Sequence, residues 1–535
     1  MTAVKPDAAR SLPSVLAIAD GAADPVATAQ VDSTDLGSVV SELVRRPGTR
    51  LADLFAAGSD PVMLRLIWAL DQDRQYLITE SEIHGTQYPA LSDIAPAAFA
   101  EECEIYEQFG IRPSGGKPLN RVAMPPQPDI DLPRLGRAPA EPPQDVHAPH
   151  VVGGHAFEFP FGPVRQVGVE SLYYGLVTSG EELVDLYLFT WHKHRGVEWR
   201  AQGQTPQQAL FHIERAEGLG AIGNGWAFAA AAEAALAIEP EPRALQSRAI
   251  ALELERLYNH AAAVAALCQA CGLAVGRAAA EIALEQLLRL NAAVFGHRYL
   301  FGVLRIGGVR RTHDAEALRA GLPAAFTELR RAGEALLQTN SFVDRLEATG
   351  TVTQEEALRL GLVGPVARAS GVGADLRLDH PFGPYAGLLE DAAAQTSGDA
   401  LARLNVMLAE AGESVRLIKA LLETAEPEQA GEAGVPGPAG LRSESSGCEA
   451  GYRPDMAGPG TSAHRSGLGW AESSRGEALA WIELDGDGRI SRARLRPAAV
   501  RNWRGFDDAC RAQNVFTDIP IIEASFWLTV AGTAR

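Results

Sequence analysis

Between residues 205 and 345 the chain is rich in Ala, Leu, Glu and Arg, and its apolar side chains recur at three- and four-residue spacing. A segment of that length and period buries its apolar stripes by packing several amphipathic helices against one another. The rest of the 535 residues must be arranged around this helical body. Upstream, from Leu51 to Ile94, short apolar runs such as Val62 to Trp68 and Tyr76 to Thr79 alternate with charged patches. An acidic helical segment, Ala97 to Phe109, follows and stops at Gly110. This pattern predicts a small α+β domain over 46–122, preceded by an N-terminal extension, 1–45. Residues 123–150 carry eight prolines and little periodicity, which predicts a semi-rigid linker and a domain boundary. The second domain spans 151–535. It holds strand-like segments at Val167 to Val177 and Leu183 to Thr190, the helical body, and a flexible Gly/Ser/Pro-rich loop at about 427–467. Ala478 to Leu484 and Ile490 to Leu495 flank Asp485-Gly-Asp-Gly488 as a hairpin.

Composition narrows the function. A formal charge of -19 repels nucleic-acid phosphates and anionic lipid headgroups. Five scattered cysteines form no disulfide framework, which places the chain in a reducing compartment and predicts a cytoplasmic protein. The longest apolar stretches, Trp226 to Ile238 and Ala261 to Gly276, are shorter than the roughly 18 to 20 residues of a membrane span. Met1 to Asp20 lacks the basic and apolar regions of a secretion signal. Membrane contact is therefore expected only through partners.

Several motifs weaken on inspection. Asp485-Gly486-Asp487-Gly488 opens like a calcium loop, but Arg489 takes the next ligand position and the later glutamate is missing. Cys268 and Cys271 form one CxxC with no second ligand pair, so they read as buried apolar cysteines. His260 and His297 lie on helical segments, where isolated histidines satisfy core hydrogen bonds. Gly218-Leu-Gly220-Ala-Ile-Gly223 matches GxGxxG, yet Phe211 to Glu217 makes a poor buried strand. Without that strand the loop is not aimed at a pyrophosphate, and close helix packing is the better reading.

Other motifs agree with one another. Glu102-Cys-Glu104-Ile-Tyr-Glu107-Gln-Phe109-Gly110, continuing through Gly115 to Arg121, resembles the signature of the C-type subunit of respiratory complex I. Cys103 stands in place of that family's usual Arg, and Gly116-Lys117 in place of its His-Pro pair. Gly162-Pro163 and His194-Arg195-Gly196-Val197-Glu198 resemble the opening motifs shared by the D-type subunit of complex I and the large subunit of group 4 [NiFe] hydrogenases. Leu254-Glu-Arg256-Leu-Tyr-Asn259-His260, Val294 to Leu300, Gly307 to Val309, Gly361 to Gly371, Asp375 to Pro381, Gly476-Glu477 and Asp518-Ile-Pro520 extend the likeness. The fit is closest to the large subunit of formate hydrogenlyase and hydrogenase-4 type complexes. It implies a C-like α+β domain fused to a large, helix-rich, D-like domain with a peripheral β-sheet.

The chain departs from this family at the positions that carry its chemistry. The resemblance implies two CxxC pairs, whose four thiolates hold nickel and iron. With Glu214-Arg215-Ala216 in place of the step before the first pair, Glu217 and Gly220 stand where cysteines belong. In the C-terminal motif Thr529 and Gly532 do so. The histidine and tyrosine that hold a quinone in the D-type subunit are replaced by Val169 and Gly218. Metal and resident cofactor on this chain are therefore expected to be none, with quinone as the open alternative. Iron-sulfur clusters are expected in a small partner subunit, beside antiporter-like membrane subunits, with this chain peripheral on the inner face of the membrane. The charged residues His194, Arg195, Glu198, Arg215, Arg256, His260, Arg298 and Arg368 are expected to form a buried network. Its bland role is to join helices by ion pairs. Its functional role is to relay protons, with Glu198 the titrating group by resemblance to the hydrogenase Arg-Gly-x-Glu motif. The implied function is electron transfer coupled to ion translocation without a Ni-Fe centre. The alternatives are reduction of a quinone or another small acceptor with non-standard ligands, and a redox-inactive scaffold.

Overall fold

A computed structural model describes residues 24–58, 60–124, 134–143, 155–165, 170–190, 192–424, 465–511 and 514–535. In the first domain β1 (Val26–Gln30), α1 (Leu36–Arg45), β2 (Thr49–Ala57), β3 (Val62–Leu70) and β4 (Gln75–Ile83) build a four-stranded sheet of order β1-β4-β3-β2. Strand β1 pairs parallel to β4, and the other neighbours are antiparallel. The near-continuous apolar sequence of β3 reflects burial on both faces. On one face Leu54, Leu64, Leu66 and Trp68 meet Val39, Val40 and Leu43 of α1 and Ile105 and Phe109 of α2 (Phe99–Phe109). On the other, Phe55, Ile67 and Tyr76 meet Leu468, Leu479 and Trp481 of the second domain. Helix α2 ends at Gly110, whose φ of 67° suits a left-handed cap.

Two expected boundaries move. Residues 26–45 are not an extension: β1 closes an edge of the sheet, and Leu36, Val39, Val40 and Leu43 turn one helical face into its core. Residues 134–143 of the expected linker lie on α2 rather than standing free. There the Gly136 N–H donates to the Gln108 carbonyl, and the Tyr106 hydroxyl donates to the Glu141 carbonyl. Irregular backbone needs partners for its polar groups, and the helix surface supplies them. Residues 125–133 and 144–150 lie outside the described residues.

The second domain opens with an antiparallel sheet of β5 (Phe157–Phe161), β6 (Tyr173–Ser179) and β7 (Glu182–Phe189). Strand β6 starts at Tyr173, later than the expected Val167, and 166–169 are outside the described residues. The helical body follows as α3 (Val197–Ala201), α4 (Pro206–Ile213), α5 (Ala221–Leu236), α6 (Pro242–Ala270), α7 (Ala274–Phe295) and α8 (Ala315–Leu337). Then come α9 (Gly364–Ala369), α10 (Leu376–Asp379) and α11 (Ala400–Glu423). Strands β8 (Arg465–Ser473), β9 (Gly476–Leu484) and β10 (Ile490–Arg496) form an antiparallel sheet, and α12 (Ala498–Arg511) and α13 (Ile519–Phe526) complete the domain. The expected loop at 427–467 is outside the described residues up to 464, and its last three residues are strand. Helix α5 rides on β8 through two glycines. A Cβ at Gly467 or Gly469 would lie 2.2 Å from the carbonyl of Ala231 or Ala227, so only a bare backbone admits the helix. Among the described residues no helix is long and apolar enough to cross a membrane.

Candidate functional site

The four positions singled out by the family motifs converge. A capping box between Thr205 and Gln208 starts α4, whose end leads into the loop carrying Glu217, Gly218 and Gly220. Gly220 then precedes α5. After α13 the chain turns at Trp527 and presents Thr529 and Gly532 to that loop. The Thr529 hydroxyl donates to Glu217 Oε2 at 2.8 Å, and Asn224 Nδ2 donates to Oε1 at 3.3 Å. A third element closes the site. The two-residue turn between β8 and β9 projects Arg475, which is 4% exposed, onto Glu217 with Nη1 2.8 Å from Oε2. The other guanidinium nitrogens donate to the Trp527 carbonyl (2.7 Å) and to Asn259 Oδ1 (3.2 Å). Glu170 fixes the C-terminal loop by accepting from the backbone N–H of Val530 (2.6 Å) and Ala531 (2.9 Å).

This donor set does not fit a thiolate-bound nickel-iron pair. It offers one carboxylate, one hydroxyl and two glycines, and the carboxylate is occupied by Arg475, Thr529 and Asn224. The space beside the glycines is also taken: a Cβ on Gly532 would lie 2.9 Å from Glu217 Oε1, and one on Gly220 2.9 Å from Asn224 Nδ2. Gly218 differs, being exposed and facing open space. Val169 lies outside the described residues.

The glycine loop at 218–223 follows a helix instead of a strand. The N-terminus of α5 is filled by the protein's own carboxylate, Glu255, which accepts from the N–H groups of Ile222 (2.7 Å) and Gly223 (2.9 Å). Burial pushes the Glu255 carboxyl up to about 7 against these N–H donors and Arg475. A Cβ on Gly223 would meet Ser473 at 2.7 Å, so the glycine serves helix-strand packing.

The expected single buried network is in fact several separate groupings. Glu198, at the start of α3, accepts from Arg492 Nη1 (2.9 Å), Arg535 Nε (2.8 Å) and the Leu495 N–H (2.9 Å). Arg535 also reaches Glu104 of the first domain at 2.8 Å, and Arg494 bridges Asp53 (2.9 Å) and Glu104 (2.9 Å). Both Glu198 oxygens are thus engaged in a tie between domains. His194 lies close by, lining a small cavity with Glu104, Gln108, Glu198, Thr533 and Arg535. Arg195 donates to the carbonyls of Ala216 (2.6 Å) and Arg215 (2.8 Å), bracing the loop that carries Glu217. His194, Arg195, Arg215 and Arg298 lie outside the buried core, contrary to the expectation of one buried network. Arg215 lies over the rings of Phe211 and Phe301, and Arg298 pairs with Glu285 with its side chain 42% exposed. Long guanidinium side chains at a helix end reach water at less cost than they can be desolvated.

Arg256, His260 and Arg368 do form a buried cluster. His260 Nε2 is 3.0 Å from Glu410 Oε2, Arg368 Nε donates to Glu410 Oε1 at 2.9 Å, and Arg368 Nη1 donates to Glu472 Oε1 at 3.0 Å. Glu253, Asp375 and Arg377 complete it. The weaker motifs resolve plainly. Asp485 accepts from the N–H groups of Asp487 and Arg489 in a hairpin turn. Burial pushes the Cys268 thiol up to about 12, and Cys271 is only half-buried. Among the described residues no group of three or more His, Cys, Asp or Glu is placed to hold a metal.

The sequence motif begins at Gly476-Glu477, one residue after Arg475, the central cation of the site. The motifs also pass over Arg492, Arg494 and Arg496. These alternate along β10 and so share one face, where they meet Glu198, Asp53 and Glu477. Their period-two spacing in a strand beside a core was the available signal, since such arginines require buried acids.

A C-like α+β domain against a helix-rich domain, whose family motif positions meet in one buried site, is the architecture of a large subunit of complex I-like assemblies. Residues 280–535 match the family described as the 49 kDa subunit of respiratory-chain NADH dehydrogenase. The chain is 26% identical to formate hydrogenlyase subunit 5 of Escherichia coli over 522 residues, covering 93% of this chain and 87% of the relative. It is 28% identical to the carbon monoxide-induced hydrogenase of Rhodospirillum rubrum over 385 residues, 71% of this chain and 99% of the relative. It is 25% identical to the C/D subunit of NADH-quinone oxidoreductase from Phocaeicola vulgatus over 362 residues, 63% and 70% of the two chains. Its fold is shared with a chain of the membrane-bound sulfane sulfur reductase, an archaeal respiratory membrane complex. That likeness has a TM-score of 0.62 and 22% identity over 72% of this chain and 100% of that one.

Proposed function

We propose that the chain is the peripheral large subunit of a membrane-bound redox complex of the hydrogenase-4 and NADH-quinone oxidoreductase kind. It takes part in electron transfer coupled to ion translocation without a Ni-Fe centre of its own. Electrons pass through iron-sulfur clusters held by a small partner subunit, antiporter-like membrane subunits move the ion, and this chain sits on the cytoplasmic face of the membrane. The observation that carries the reading is the convergence of Glu217, Gly220, Thr529 and Gly532 on one buried site closed by Arg475, in a fold shared with a respiratory complex. Where the family motif calls for thiolates, the site holds an ion pair.

A second reading, reduction of a quinone or another small acceptor, is favoured by the open space beside exposed Gly218, next to Glu217. One experiment tests both. The tagged chain is purified from gently solubilised membranes, co-purifying proteins are identified, and the turnover of the complex is compared for Glu217→Ala and Thr529→Ala. Recovery with an iron-sulfur subunit and antiporter-like proteins supports the first reading, and turnover that depends on either side chain supports the second. A chain recovered without partners overturns both. Partners with unchanged turnover leave the first and sink the second.

A further inference from the structure

The cluster between α6, α9, α10, α11 and β8 contains four carboxylates, Glu253, Asp375, Glu410 and Glu472. It also contains three guanidiniums, Arg256, Arg368 and Arg377, and the imidazole of His260, and none of the eight residues is more than 2% exposed. With every carboxylate ionised and His260 neutral, the set carries one uncompensated negative charge away from water, a state that a buried site relieves by taking up a proton. The contacts identify the acid that takes it. Glu253 accepts from Arg256, Tyr385 and Ser414 and is approached by Arg377. Asp375 accepts two bonds from the Arg377 guanidinium and one from its backbone N–H. Glu410 faces Arg368, Arg256 and His260. Glu472 has only one guanidinium nitrogen, Arg368 Nη1 at 3.0 Å, and a long N–H from Leu376 at 3.3 Å.

We propose that this cluster is a proton-binding site that holds one exchangeable proton, seated on Glu472, with His260 neutral and donating through Nε2 to Glu410. The groups facing Glu472 are Asp375, Arg368, Arg256 and Arg377, with Tyr76 of the first domain nearby and Glu477, itself paired with Arg50 and Arg496, directly opposite on β9. Burial, then the charge of Asp375, pushes the Glu472 carboxyl up to about 7 against the three guanidiniums. His260 faces Glu410, Arg256 and Arg368, and burial holds it below the ordinary imidazole range. Arg256 donates to the carbonyls of Ser473 (3.0 Å) and Glu472 (2.7 Å), just before the turn that projects Arg475, so the proton lies on the strand that closes the candidate site. The proton site needs only this cluster, so a redox-inactive scaffold would hold it as well as a working subunit.

Infrared difference spectroscopy of the full-length chain tests it. Subtracting the Glu472→Gln spectrum from the wild type below neutral pH should show the loss of one protonated-carboxyl stretch, and well above neutral pH the loss of an ionised carboxylate instead. Asp375→Asn removes the excess charge by another route, so it should abolish the same protonated band while Glu472 stays in place. An ionised carboxylate lost from Glu472→Gln at both pH values would overturn the proposal. So would a wild-type-minus-Asp375→Asn difference below neutral pH that shows no loss of that protonated band, a comparison that serves if the first variant does not fold.

Discussion

Glu217 and Arg475, 258 positions apart in sequence, form a buried ion pair of 2.8 Å at the place where the family motifs converge. Removing one partner of such a pair strands a charge away from water, which costs more than the pair itself contributes. Glu217→Ala is therefore expected to destabilise the chain by about 3 to 5 kcal/mol in denaturant unfolding. Thr529→Ala, which deletes one hydroxyl bond to the same carboxylate, should cost about 1 kcal/mol. Equal effects from the two variants would show that the Arg475 pair contributes no more than the Thr529 hydroxyl.

Glu198 joins the domains through Arg535, which in turn holds Glu104, and through Arg492, whose Nε donates to the Ala56 carbonyl. Glu198→Gln keeps the shape but removes the charge, and a loss of about 2 kcal/mol is expected from its hydrogen bonds to cations. Amide exchange should accelerate first in Phe99–Phe109. In reconstituted vesicles the variant complex should assemble yet translocate ions less per electron, and unchanged coupling would reduce Glu198 to a structural tie.

The acid side of the stability curve should depend on Asp71. Burial would raise its carboxyl, but the Arg50 guanidinium and the His380 ring outweigh it and hold it at about 2, below its ordinary 3.8. A lowered folded value means stability that is present above 3.8 and lost as the pH falls through 2. Asp71→Asn should flatten that limb in thermal unfolding at acid pH, and an unchanged slope there would discount the Asp71 pairing.

Near neutrality the sign reverses for Glu255. Its folded value is raised from 4.5 to about 7, so the folded chain binds the extra proton in that window. Stability from this group is complete below 4.5 and lost as pH rises through 7. Glu255→Gln should reduce the decline in melting temperature across that range.

Gly469→Ala tests the closest contact between helix and strand. Its Cβ would enter within 2.2 Å of the Ala227 carbonyl and 2.4 Å of the Ala231 nitrogen, both backbone atoms that cannot rotate aside. A cost of about 3 kcal/mol or more is expected, at the upper end for overpacking, and a neutral variant would mean that α5 can lift from β8.

Most of the local structure could be read from neighbouring residues. The Gly110 stop, the hairpin around Asp485, the packed helices between 205 and 345, and the four site positions all follow from spacing within a few turns or from short motifs. Local patterns encode these because the forces that shape them act between residues close in sequence. By itself the sequence determined which side chains this site lacks: thiolates at 217, 220, 529 and 532. Only the tertiary structure decided what takes their place. Arg475 reaches Glu217 from a turn between strands, β1 becomes an edge of a sheet by pairing with a strand some fifty residues away, and Arg298 stays near water while Arg368 does not. Burial and long-range pairing decide the state of a charge, and both are set by the packed chain as a whole.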